Sequence, residues 1–177
     1  EHGMDRRDFL KFLAATGFLS LLGTEQAKAF SSQAKGKIVI IGGGAAGISM
    51  AARLTHWLED PDITLIDPSD RQFYQPGFTL IASGVYQPDD VWKNQADCMP
   101  SGIKWVKDAV VAVDPVMNQV TTQSNGKIPY DFLVLTPGLQ INWNRVEGIT
   151  RETLGQGDAH CIYDFEGAQK TWKGIQA

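Results

Sequence analysis

Lys37-Ile38-Val39-Ile40-Ile41-Gly42-Gly43-Gly44-Ala45-Ala46-Gly47 decides the fold of this chain. A β-branched run ends in glycines at 42, 44 and 47, and a helix-forming segment, Ala45 to Leu58, follows without a break. A second apolar run, Ile63 to Ile66, closes on the acid Asp67. Strand, glycine turn, helix, strand and acid in this register describe a βαβ unit that grips a dinucleotide. Gly42 turns the chain tightly out of the strand. Gly44 has no Cβ, so backbone can approach a pyrophosphate, and Gly47 lets the helix pack close to the strand. The free N–H groups and positive helix end around Ala45 and Ala46 then face the phosphates. Asp67 is placed to accept hydrogen bonds from the adenosine ribose.

The chain begins with a segment that does not read as fold. Asp5-Arg6-Arg7-Asp8-Phe9-Leu10-Lys11 precedes an apolar run from Phe12 to Leu22 and then Ala27-Lys28-Ala29. A basic patch, a short apolar stretch and small residues two apart describe an export signal over residues 1–29. The run is too short and too interrupted by glycine for a comfortable membrane span. Paired arginines followed by Phe-Leu-Lys resemble the twin-arginine signal, with Asp5 where Ser or Thr is usual. The expectation is folded export to the periplasm; the alternatives are an ordinary signal or an uncleaved anchor.

The charges of residues 1–29 cancel, so the net charge of −4 belongs to the remainder. No basic stripe is present, which gives nucleic-acid binding no support. His2, His56 and His160 are scattered, and no metal-binding spacing occurs. Cys98 and Cys161 could pair in an exported protein, but sequence does not give their separation.

Beyond Asp67, Pro68-Ser69-Asp70 is a turn and Gln75-Pro76-Gly77 breaks the chain before a short apolar segment, Phe78 to Ala82. Tyr86 to Gly102 is polar and turn-rich, a loop with one helical turn near Asp89 to Lys93. Ile103 to Val106 and Ala109 to Val113 read as strands. Asn118 to Gln123 and Lys127 to Tyr130 flank Ser124-Asn125-Gly126-Lys127, a hairpin signal. Phe132 to Leu135 is fully apolar and reads as a strand buried in a parallel sheet, running into Thr136-Pro137-Gly138. Asp164 to Ile175 reads as a crossover helix with Phe165, Ala168, Trp172 and Ile175 on one face.

This order of elements resembles the FAD domain of the two-dinucleotide-binding flavoproteins. Tyr130-Asp131-Phe132-Leu133-Val134-Leu135-Thr136-Pro137-Gly138 is similar to their second flavin motif. Within that superfamily the chain resembles the sulfide:quinone oxidoreductases and the flavoprotein subunit of flavocytochrome c sulfide dehydrogenase. The narrower likeness is carried by Phe73-Tyr74-Gln75-Pro76-Gly77-Phe78-Thr79-Leu80, Pro100-Ser101-Gly102-Ile103-Lys104-Trp105-Val106 and Gly138-Leu139-Gln140-Ile141-Asn142-Trp143. A plainer reading of the Tyr-Gln-Pro segment is a proline turn opening a short helix.

The resemblance implies an α/β, Rossmann-like FAD-binding domain with a three-stranded β-meander insert over residues 109–130. The FAD-binding part spans 36–150, and residues 151–177 begin a crossover into a second domain. Relatives are more than twice as long, so the expectation is a fragment, with apolar surface exposed where further parts would pack. The implied cofactor is FAD, held by Gly42, Gly44, Ala45, Ala46, Gly47 and Asp67, with Gln75, Pro76, Thr136, Pro137 and Gly138 alongside and the Val110 backbone reading the adenine. The flavocytochrome branch attaches its flavin to a cysteine near Tyr74–Pro76; none stands there, so the flavin is expected to be non-covalent. The implied activity is oxidation of sulfide through a cysteine pair, with electrons passed to a quinone or to a cytochrome c subunit. Peripheral membrane association through a further C-terminal part is part of the same implication. The main redox cysteines would lie beyond residue 177. Cys161 falls near an assisting third cysteine of one branch, or is a small apolar residue at an element boundary. Other readings are an NADH:quinone dehydrogenase of the same fold, or a non-catalytic remnant.

Overall fold

The computed structural model describes residues 35–177; the export signal expected over 1–29 lies outside them. Four parallel strands form the main sheet in the order β5-β2-β1-β9: β1 (Lys37–Ile41), β2 (Asp62–Ile66), β5 (Lys104–Val106) and β9 (Phe132–Leu135). β1 pairs with β2 from Lys37↔Asp62 to Ile41↔Ile66 and with β9 from Ile38↔Phe132 to Ile41↔Leu135. Its β-branched residues therefore meet neighbours on both edges and both faces, the environment that favours a continuous apolar strand. Helix α1 (Ala45–Trp57) connects β1 to β2, and its Ala51 is buried against Ile38, Ile40, Ile63 and Leu65. Full burial of an Ile or Leu such as Ile40 or Leu65 contributes about 1.5–3 kcal/mol each. On the other face, Val39, Ile66 and Val106 meet Val120 and Tyr130 of the meander.

That meander, β6 (Val110–Asp114), β7 (Gln119–Thr122) and β8 (Gly126–Pro129), is antiparallel, as the sequence predicts. Asp108 anchors it: its carboxylate accepts from the backbone N–H groups of Ser124 (2.8 Å), Asn125 (2.9 Å) and Ala109 (2.8 Å) and from Asn125 Nδ2 (2.8 Å). Burial pushes its pKa up, but these four donors outweigh burial and hold the carboxyl well below the usual range.

Three expectations need correction. The stretch 86–102 is more ordered than a loop with one turn. It holds a 3-10 turn (Pro88–Val91), strand β4 (Trp92–Asn94) and helix α3 (Gln95–Cys98). β4 pairs antiparallel with β3 (Arg71–Phe73), a two-stranded sheet whose three-residue strands are too short to show a period in sequence. Second, β9 joins the parallel sheet but is not buried: among the described residues it is the outer strand, and Phe132 and Leu135 are 59% and 62% exposed. Third, the apolar face of α4 (Phe165–Gln176) stops short of Ile175: the helix packs on the short helix α2 (Phe78–Ala82). Ala168 is buried there with Phe78, Ile81 and Val91, while Ile175 is exposed because α4 outruns five-residue α2.

Candidate functional site

The glycine turn between β1 and α1 is the centre of the site. Gly42 has φ +100°, left-handed backbone that only glycine adopts readily, and a Cβ there would run into the Thr136 carbonyl. A Cβ on Gly47 would run into the Gly42 carbonyl, so the first turn of α1 lies directly on the glycine turn. A Cβ on Gly44 would meet nothing within 4 Å. Thr136 ties the second motif to the first, its Oγ1 within hydrogen-bond distance of the carbonyls of Ile41 (2.9 Å) and Gly42 (3.0 Å). Gly44 is the N-cap of α1, with no side-chain cap and no acid in the first turn. A helix start in that condition offers unpaired N–H groups and a positive dipole end to an anion.

Asp67 stands at the end of β2 with one carboxylate oxygen accepting from Gly43 N–H at 2.6 Å and the other from Ser69 N–H at 2.8 Å. It therefore braces the glycine turn as well as lining the cleft, and a carboxylate has lone pairs left for ribose hydroxyls.

These groups open on a cleft of about 750 Å³ whose walls include Gly43, Gly44, Ala45, Ala46, Asp67 and Thr136. Gln75, Pro76 and Gly138 lie along the same wall, so eight of the residues expected at a cofactor come together: Gly44, Ala45, Ala46, Asp67, Gln75, Pro76, Thr136 and Gly138. Gly42, Gly47 and Pro137 sit beneath it, in the packing of the turn. Val110 does not line it; it packs against the cluster of Val39, Val106 and Val120. A second cleft of about 700 Å³ shares Gln75, Gly138, Tyr163 and Asp164 and adds Leu139, Ile141, Trp143 and Arg151. The Tyr-Gln-Pro segment is fixed by aromatic packing, with ring centroids 5.0 Å apart for Phe73 and Phe165 and 5.9 Å for Phe73 and Phe78.

Several cleft residues gave no sign in the sequence. Arg71 brings a cation to the wall, its guanidinium 4.4 Å from the Trp92 ring centroid. Gln72 and buried Gln95 reach the glycine turn from β3 and α3. Nothing in a polar stretch marks such residues, because the contact spans 52 positions.

Both cysteines are free thiols, so no disulfide joins them. Cys161 precedes the cleft residues Tyr163 and Asp164, and its Sγ accepts from Tyr163 N–H at 3.3 Å. Cys98 lines a smaller cavity of about 220 Å³ with Ala45, Phe73 and Tyr74. Among the described residues no cluster of His, Cys, Asp or Glu could hold a metal ion, and no helix is long and apolar enough to cross a membrane.

An open path to Gly44, an uncapped helix start, a neighbouring cation and an acid at the end of β2 fit a dinucleotide cofactor carrying a pyrophosphate. Comparison with known proteins agrees. Residues 36–173 match the family described as pyridine nucleotide-disulphide oxidoreductase. The mitochondrial sulfide:quinone oxidoreductase of Dictyostelium discoideum is 38% identical over 159 residues, 89% of this chain and 35% of that protein. The crystal structure of the sulfide:quinone oxidoreductase from Aquifex aeolicus aligns with a TM-score of 0.62 and 32% identity, covering 81% of this chain and 32% of that one. NDH2 from Plasmodium falciparum, at 19% identity and a TM-score of 0.57, shares the fold, over 79% of this chain and 28% of its own. The chain thus spans about a third of the length of these relatives.

Proposed function

The chain belongs to the pyridine nucleotide-disulphide oxidoreductase family, and from that premise we propose that the whole protein oxidises sulfide with non-covalently held FAD and passes the electrons to a quinone. The observation carrying the cofactor is the turn at Gly42–Gly47, braced by Asp67 and open at Gly44. When bound, FAD supplies a two-electron redox centre. The substrate assignment is supported by the likeness to sulfide:quinone oxidoreductases and by Tyr74-Gln75-Pro76 along the cleft. No cysteine stands in Phe73–Phe78 to attach the flavin.

In this reading the N–H groups of Gly44 and of the first turn of α1 after Ala45 bind the pyrophosphate and Arg71 offsets its charge. Asp67 orients the ribose. Thr136-Pro137-Gly138 passes beside the cofactor, and Gln75 stands at the junction of the two clefts. Anaerobic titration of the full-length protein tests it. Sulfide bleaches the flavin band, a soluble quinone analogue restores it, and NADH does neither. Bleaching by NADH and not by sulfide overturns the assignment.

Export in the folded state belongs to the same proposal and rests on Arg6-Arg7 and Phe9-Leu10-Lys11. Replacing both arginines by lysine should leave the protein in the cytoplasm. Undiminished delivery to the periplasm would refute the twin-arginine route.

A further inference from the structure

Gln95 is 1% exposed, among the most buried side chains of the protein and polar. A polar group in that position is retained only with partners. Its Nε2 donates to the Gly43 carbonyl at 2.7 Å, and its backbone N–H donates to the Asp70 carbonyl at 2.8 Å. Gln72 completes the arrangement. In the amide orientation that satisfies both its ends, it donates to the Gly43 carbonyl (3.0 Å) and to Gln95 Oε1 (3.0 Å) and accepts from Ala45 N–H (3.2 Å). With Asp67 on the Gly43 N–H, both polar groups of Gly43 are held by side chains from three separate elements.

The Gly43 carbonyl shares its peptide plane with the Gly44 N–H, and in a trans peptide the two point in opposite directions. Fixing the carbonyl toward Gln95 therefore turns the Gly44 N–H away from the buried amide, toward the open side of the turn. A peptide free to rotate would lose that donor for part of the time. A Cβ on Gly43 would also collide with Gln95 Nε2 and crowd the Asp67 side chain, so these two residues require a glycine at a position the fingerprint itself leaves open.

We propose that Gln95, with Gln72 beside it, is a positioning residue that locks the Gly43–Gly44 peptide and so preorganises the pyrophosphate donor. This rests on the reading of the cleft as an FAD site. Gln95→Met in the full-length holoprotein preserves volume and removes the amide; Gln72 still partners the Gly43 carbonyl, so the fold is retained. FAD should bind about tenfold more weakly, the scale of one buried hydrogen bond lost from the cradle. The ³¹P NMR resonances of the bound pyrophosphate should also move. Weakened binding with unmoved resonances would show a loosened fold only, and overturns the proposal, as does unchanged affinity. Gln72→Leu, on the half-buried strand β3, is read the same way and decides the matter if Gln95→Met does not fold. A wild-type protein without flavin sinks both readings, whereas a yellow wild type with silent variants sinks only this one.

Discussion

Gly42 and Gly47 differ from Gly44 in what their missing side chains leave room for. At Gly42 and Gly47 the space is filled by the protein's own backbone, the Thr136 and Gly42 carbonyls. At Gly44 it is open. One six-residue motif thus contains a packing side and a ligand side, although all three glycines look alike in sequence. The packing side brings β1, α1 and the end of β9 within contact. The ligand side is what remains accessible once that contact is made.

The largest effect should come from the packing side. Gly47→Ala places a methyl group on the Gly42 carbonyl, and backbone must shift to admit it. A loss of about 3 kcal/mol or more is expected, with a thermal midpoint lowered in flavin-free and flavin-loaded protein alike. A Gly47→Ala protein with unchanged melting would break the distinction. Gly44→Val is the converse. The backbone there is extended (φ −69°, ψ −174°), so valine fits and the flavin-free protein should melt within about 1 kcal/mol of wild type. FAD affinity should nevertheless fall by about 100-fold or more, since the branched side chain occupies the pyrophosphate's approach. A yellow, fully loaded Gly44→Val protein would refute the placement of the pyrophosphate at Gly44.

A smaller effect sharpens the contrast with a third region. Asp108 holds the meander through amide donors and does not line the cleft. Its lowered pKa makes its contribution complete above the ordinary carboxylate value of 3.8 and lost as pH falls below it toward the folded-state value. Hydrogen exchange at Ser124 and Asn125 should therefore quicken on acidification below about pH 4, ahead of exchange in β1. Asp108→Ala should quicken it at neutral pH and remove most of that acid dependence. Slow, pH-independent exchange in wild type would contradict the role. If the variant also loses FAD affinity, the adenine reading at Val110, two residues on, gains support.

What could be read without the structure was local. Lys37–Gly47 carries its own period, turn and helix start, and Ser124–Lys127 its own hairpin chemistry. Phe132–Leu135 was legible as a strand but not as an outer one, because an apolar run reports sheet membership without reporting the number of its neighbours. Gln95 and Gln72 were illegible for a different reason. Their role comes from contacts with Gly43 and Ala45, far away along the chain, and neither amide interrupts an apolar pattern that would have made it conspicuous.

The smallest effect is expected at Cys161, which tests how far the ligand side extends. Its thiol is half-buried and unpaired, and its one hydrogen bond is from Tyr163 N–H. Its carbonyl lies against Gly167, where a Cβ would collide with it, so the residue also seats the start of α4. Serine keeps an acceptor for Tyr163 and nearly the same volume, so Cys161→Ser should leave melting and FAD binding unchanged. Tyr163 and Asp164, two and three residues on, line both clefts, which puts the thiol beside the site without lining it. Sulfide turnover by the full-length protein should therefore drop by less than about tenfold, under 1.4 kcal/mol in the barrier. Complete loss of turnover with FAD still bound would make Cys161 an essential redox thiol and move the reacting centre to the start of α4. Unchanged turnover would leave it the packing residue that its contact with Gly167 already makes it.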